Sequence, residues 1–138
     1  LFRSLTVNAF ASISLDPLLV MVSIDNRSHL HDIVTQAGFF AVNILGAHQQ
    51  ESSRRFAGLT GDRNDRFRVT SFHPGQTGAP ILDEAIGWVE CRVYQAYPAG
   101  DHTIFLGEVE ALGANDGEPL VYYHSSYGVF TIDANSGE

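Results

Sequence analysis

Residues Leu18 to Ile24 form a near-continuous apolar run, bounded by Asp16-Pro17 in front and by Asp25-Asn26-Arg27-Ser28 behind. Such a run reads as a strand covered on both faces, which a lone hairpin cannot supply. The chain must therefore wrap other elements around this segment. Just before it, Thr6-Val7-Asn8-Ala9-Phe10-Ala11-Ser12-Ile13-Ser14 is dominated by small and hydroxyl-bearing residues. Ala9, Ser12 and Ser14 keep side chains short, while Thr6, Asn8 and Ser12 offer donors and acceptors. That order suits a backbone lying flat against a planar, polar-edged ligand, and it also suits a strand with hydroxyls on its wet face.

The pattern predicts strands over Leu5 to Ser14 and Leu18 to Asp25, with a turn at Asp16-Pro17. Ser28 reads as a helix N-cap, Asp32 lies in the favoured first turn, and Leu30, Ile33, Val34 and Ala37 recur at helical spacing up to Gly38. Phe39 to Leu45 is a second buried strand. A mostly polar helix anchored by Phe56 is expected over His48 to Ala57. Gly61 through Gly78 reads as a long loop with short strand pieces, of a length that suits function or partner contact. Pro80 to Ala85 allows a turn of helix. Trp88 to Tyr97 alternates, with Val89, Cys91 and Val93 on one face and Trp88, Glu90, Arg92 and Tyr94 on the other. Pro98-Ala99-Gly100-Asp101 turns the chain, and His102 to Leu112 returns as the paired strand. Leu120 to Tyr123 and Val129 to Ile132 supply two last strands. About seven strands and two helices with antiparallel connections point to a small, mainly β barrel with helical caps, in one domain over residues 1–138.

Composition narrows the function. The net charge of −8 argues against nucleic acid or an anionic membrane surface as the main partner. No apolar run reaches the length of a membrane span. The single cysteine, Cys91, forbids an internal disulfide and reads as a buried structural thiol. Leu1 stands without a Met, a charged leader or a cleavage pattern, so the expectation is a cytoplasmic chain whose upstream residues have been left out. All eight basic residues are arginines, and five of them fall between Arg54 and Arg68. Such a cluster in an acidic chain suits a phosphate-bearing ligand, and equally a solvated helix and loop. The six histidines match no metal-ligand spacing, no nucleophile elbow is present, and no phosphate-loop or dinucleotide fingerprint occurs. What remains is Gly100-Asp101-His102, a histidine opening a strand straight after a turn, where Asp101 could fix its tautomer.

Taken in order, these segments resemble the short-chain flavin reductases of the FMN-binding split-barrel superfamily. The resemblance rests on Thr6 to Ser12, Ser14-Leu15-Asp16-Pro17, Asp25 to Ser28, Gly38 to Leu45 and Ser53 to Gly58. It continues through Asp65-Arg66-Phe67, Gly78 to Leu82, Gly100 to Ile104, Gly107-Glu108-Val109 and Pro119 to Tyr122. It implies an antiparallel split barrel of six to seven strands, working as a homodimer with flavin at the subunit boundary. The implied activity is NAD(P)H:flavin oxidoreduction, with FMN (or FAD) reduced by NADH or NADPH and the reduced flavin passed to a monooxygenase. Implied flavin contacts come from Thr6, Val7, Asn8, Ala9 and Ser12, from Asp25, Asn26, Arg27 and Ser28, and from Asn43 and Phe56. Arg27, Ser28, Ser53 and Arg54 or Arg55 are the implied phosphate contacts, and His102 is implied at the nicotinamide. Three alternatives stay open: a flavoprotein of this fold acting on a bound organic substrate, a non-catalytic flavin or haem carrier, and a solvated split barrel with a vestigial pocket. The family's usual opening helix and strand have no counterpart before Thr6, and Leu30 stands where many relatives carry Thr.

Overall fold

The computed structural model describes residues 5–7, 9–59 and 65–134. Nine strands and two helices follow one another as β1 (Phe10–Leu15), β2 (Leu18–Asp25), α1 (His29–Ala37), β3 (Phe39–Ile44), α2 (Gln50–Phe56), β4 (Phe72–Pro74), β5 (Pro80–Leu82), β6 (Gly87–Ala99), β7 (His102–Ala114), β8 (Val121–Tyr123) and β9 (Ser126–Gly128). An antiparallel five-stranded sheet runs in the order β1-β2-β7-β6-β3, and β4-β5 and β8-β9 form two small ribbons. The fold is thus mainly β, antiparallel and capped by helices.

The apolar run behaves as its composition demands. Leu19, Val20, Val22 and Ile24 of β2 are all buried, with β1 on one side and β7 on the other. Val20, Val22 and Ile24 meet Val34 of α1, Phe40 of β3, Cys91 of β6 and Phe105 of β7 in the main core. Each such side chain removed from water contributes about 1.5–3 kcal/mol. A second cluster joins Phe56, Leu82 and Ala85, flanked by Leu45, Phe67 and Phe72. Helix α1 starts where Ser28 accepts from the Leu30 amide at 3.1 Å. It stops at Gly38, whose left-handed φ of 76° lets its amide reach the Val34 carbonyl at 2.9 Å.

Strands β6 and β7 are thirteen residues each and form the longest ribbon of the sheet. At its far end Trp88 pairs with Gly113, where a Cβ would fall 2.6 Å from the indole, so only glycine leaves the ring its place. At the near end Gly100, at φ 65°, turns Ala99 back onto His102.

Four segments depart from the sequence expectation. The first strand begins at Phe10, and residues 5–7 and 9 run outside it. Pro80–Leu82 is strand β5, not helix, because the Asn43 side chain donates to the Pro80 carbonyl and accepts from the Leu82 amide. The last ribbon pairs β8 with Ser126–Gly128 through a two-residue turn at His124 and Ser125, and residues 129–132 lie outside any strand. Glu90, set by the alternation on the face opposite Cys91, is buried beside it at 1% exposure, since the register shifts between the two and residues 75–77 fold over the carboxylate.

Candidate functional site

A cleft of about 1290 Å³ is lined by residues 5–7 and 9, β2, α1, β3, α2, β7 and the β8-β9 ribbon. Most of its floor is apolar, with Leu30, Ile33 and Ala37 from α1 and Phe39 and Ala41 from β3. Of the residues singled out from sequence, Thr6, Val7, Ala9, Asp25, Asn43, Ser53, Arg54, Phe56 and His102 line it together. Ser12, Asn26, Arg27, Ser28 and Arg55 do not. Asn8 lies outside the described residues.

Each exclusion has a physical reason, and Asn26 is held in the turn behind His102 by the Thr103 hydroxyl and the Asp101 carbonyl. Ser12 pairs with Val20 within β1-β2 and is exposed. Ser28 is spent as the cap of α1. The Arg27 guanidinium forks onto Asp25, with Nη2 2.9 Å from Oδ2 and Nε 3.2 Å from Oδ1, while the Arg27 amide also donates at 2.8 Å. Those bonds hold the Asp25 carboxyl down to about 2 and raise the guanidinium above its ordinary value. Arg55 pairs with Glu51 at 3.3 Å across one helical turn. Inside the cleft, Asn43 and Phe56 serve the frame as well, one stitching β3 to β5 and the other filling the second core cluster.

His102 opens β7 directly opposite Asp25 of β2. Its Nδ1 lies 2.7 Å from Asp101 Oδ1, and its side chain is 42% exposed. A carboxylate only accepts, so Nδ1 carries the proton and Nε2 is left to face a ligand. The hydrogen bond from His102 also holds the Asp101 carboxyl below its usual range. Behind this turn runs a polar chain. The Thr103 hydroxyl donates to Asn26 Oδ1 at 2.7 Å and receives His31 Nε2 at 3.0 Å, while Asn26 takes Asp101's carbonyl through its own amide at 2.9 Å. His31 stands edge-on to Phe105 with ring centroids 5.6 Å apart.

At α2, Ser53 is 4% exposed and central. Its carbonyl accepts from the Thr6 hydroxyl at 2.7 Å, and its Oγ accepts from the Tyr127 hydroxyl at 2.9 Å. Arg54 lies with its guanidinium carbon 5.1 Å from the Tyr127 ring centroid. Tyr127, Ser125 and Ser126 of the last ribbon line the cleft but were not assigned to a flavin site from sequence, and the apolar face of α1 was read as a helix's packing face. A tyrosine seventy-four positions from its serine partner leaves no spacing signature. Among the described residues no group of three metal-ligating side chains gathers, and no helix is long and apolar enough to cross a membrane.

Residues 2–131 match the family model described as flavin reductase like domain. An NADH-dependent flavin reductase of a Rhodococcus species is 40% identical over 125 residues, covering 91% of this chain and 68% of that protein. The NADH:FAD oxidoreductase SgcE6 of Streptomyces globisporus, solved with NAD and FAD fragments, superposes with a TM-score of 0.89 at 33% identity, covering 96% of this chain and 80% of that one. The styrene monooxygenase flavin reductase of Pseudomonas putida gives 0.82 at 36% identity, covering 94% of this chain and 81% of that one.

Proposed function

The chain belongs to the flavin reductase like domain family, and from that premise we propose that it passes hydride from NADH to FMN held in the cleft, the reduced flavin going on to a monooxygenase. Residues 1–138 make up one such domain. The flavin, when bound, supplies the acceptor for one hydride and one proton, and the nicotinamide leaves oxidised.

The observation that carries this reading is the meeting, in one cleft, of short-side-chain backbone at Thr6 and Ala9, a guanidinium beside a buried serine, and a tautomer-fixed imidazole. The residues suit the ligand. An apolar floor accepts a flat ring system, and the volume exceeds the roughly 300–1000 Å³ of a usual small-molecule pocket, leaving space for a second ring above the first. Ser53 and Arg54 take the phosphate, in preference to Arg27, which lies outside the cleft lining with its Nε and Nη2 on Asp25. His102 positions the nicotinamide through Nε2 and shields the contact from water. No general acid among the chain's residues is required. The working form is a homodimer, supported by large apolar side chains left exposed on β1, with Leu15 at 89%.

Anaerobic mixing of the protein with NADH and FMN tests the reading, which predicts bleaching of the flavin absorbance. His102→Ala is expected to slow that bleaching at least about tenfold with FMN affinity nearly unchanged. An unaltered rate removes His102 from the site, and absence of bleaching with the wild type removes the activity.

A further inference from the structure

Tyr127 is part of the cleft wall and meets both Ser53 and Arg54. We infer that Tyr127 is a specificity-determining residue, holding Arg54 and Ser53 together so that the cleft prefers flavins ending in a phosphate over flavins that lack one. The inference rests on the flavin reading and sharpens it at one end of the ligand.

The charge pattern points to an anion here. Arg27, Arg55, Arg68 and Arg92 are each bound to a carboxylate. Arg66 donates to the Phe56 carbonyl. Arg54 has no carboxylate partner among the described residues, and it lines the cleft. What holds it is the Tyr127 ring, 5.1 Å away. An aromatic face attracts a guanidinium and keeps it flat, which leaves its N–H edge free to fork onto phosphate oxygens.

The tyrosine is itself fixed from three directions. Its hydroxyl donates to Ser53 Oγ at 2.9 Å. Its ring stands 5.3 Å from that of Tyr122, its cross-strand partner in the β8-β9 ribbon. That ribbon is tied to the end of β3 by the Leu120 amide on the Leu45 carbonyl at 2.9 Å. Because Ser53 Oγ accepts from Tyr127, its own proton is available to an acceptor in the cleft. Tyr127 therefore contacts the donors of two adjacent helix residues that line the cleft, a neutral hydroxyl through its own hydroxyl and a guanidinium through its ring. Losing the ring lets Arg54 swing into solvent and frees the Ser53 hydroxyl to rotate.

Equilibrium titrations of FMN and riboflavin, followed by quenching of flavin fluorescence, test this on wild type, Tyr127→Leu, Tyr127→Phe and Arg54→Lys. Wild type is expected to bind FMN at least about tenfold tighter than riboflavin. Tyr127→Leu should bring that ratio within about threefold of unity and leave riboflavin affinity within about twofold. Tyr127→Phe, which keeps the ring and loses the serine, should give an intermediate ratio, and Arg54→Lys should resemble the leucine variant. A leucine variant with the wild-type ratio overturns the inference, as does a parallel loss of both ligands, the mark of a merely structural role. Should the leucine variant fail to fold, a phenylalanine variant with the wild-type ratio overturns it alone. Wild type that binds both flavins equally sinks the inference and spares the flavin reading; wild type that binds neither sinks the flavin reading itself.

Discussion

Glu90 carries a full carboxylate into the interior of β6 at 1% exposure. Burial by itself would raise its carboxyl. The Thr77 amide at 2.9 Å, the Thr77 hydroxyl at 2.7 Å and the Gln76 amide at 3.1 Å outweigh that and hold it below its usual range. Gly75 is the residue that allows the approach, because a Cβ there would sit 2.2 Å from the carboxylate. The same loop continues into Gly78, Ala79 and Pro80, which wall the cleft, so a buried charge fixes part of the site. A depressed folded-state value means that the ionised group's stability is present above the ordinary glutamate range and is lost as pH falls through the folded value. Glu90→Gln should therefore cost about 1–3 kcal/mol at neutral pH and flatten the acid side of the melting curve. Thermal denaturation from pH 7 down to about pH 2, through and below the ordinary glutamate range, checks both; a variant that loses stability with acid as steeply as wild type would clear Glu90.

Between β6 and β7, the turn that presents His102 is braced from behind by Thr103, Asn26 and His31. Thr103→Val keeps the volume and β preference but breaks both hydrogen bonds. It should lower kcat for NADH by about tenfold, with FMN affinity unchanged, and Thr103→Ser should restore it. Steady-state kinetics with equilibrium flavin binding decides, and equal kcat in the valine variant refutes the brace. This element also shows what sequence can and cannot carry. Strands β2, β3, β6 and β7, helix α1 with its Ser28 cap and Gly38 stop, and the Gly100 turn were legible, since periodicity, capping and turn chemistry are local. His102 was legible for the same reason. The brace was not, because His31 and Thr103 are seventy-two positions apart and meet only across α1 and β7. Strand β5 was missed because side-chain bonds from Asn43, thirty-seven and thirty-nine positions away, select its extended form. Arg27 and Arg54 looked alike in the sequence; the fold gave one a carboxylate and the other an aromatic ring.

Over the whole molecule, the homodimer reading predicts a mass of about 30 kDa from the 15.1 kDa chain in sedimentation equilibrium, and a Leu15→Glu, Ile13→Glu double variant that shifts toward monomer. A wild type that sediments as a monomer at micromolar concentration ends that reading. The two thirteen-residue strands act as a beam, roughly 40 Å long at 3.3 Å per residue. His102 stands at one end, and at the other Trp88, the chain's single tryptophan, lies on Gly113 away from the cleft lining. Tryptophan emission from this protein therefore has one fixed lamp, mounted apart from the chemistry. Dimming of that lamp on ligand addition measures radiationless transfer to a yellow chromophore, and the indole needs no contact with it.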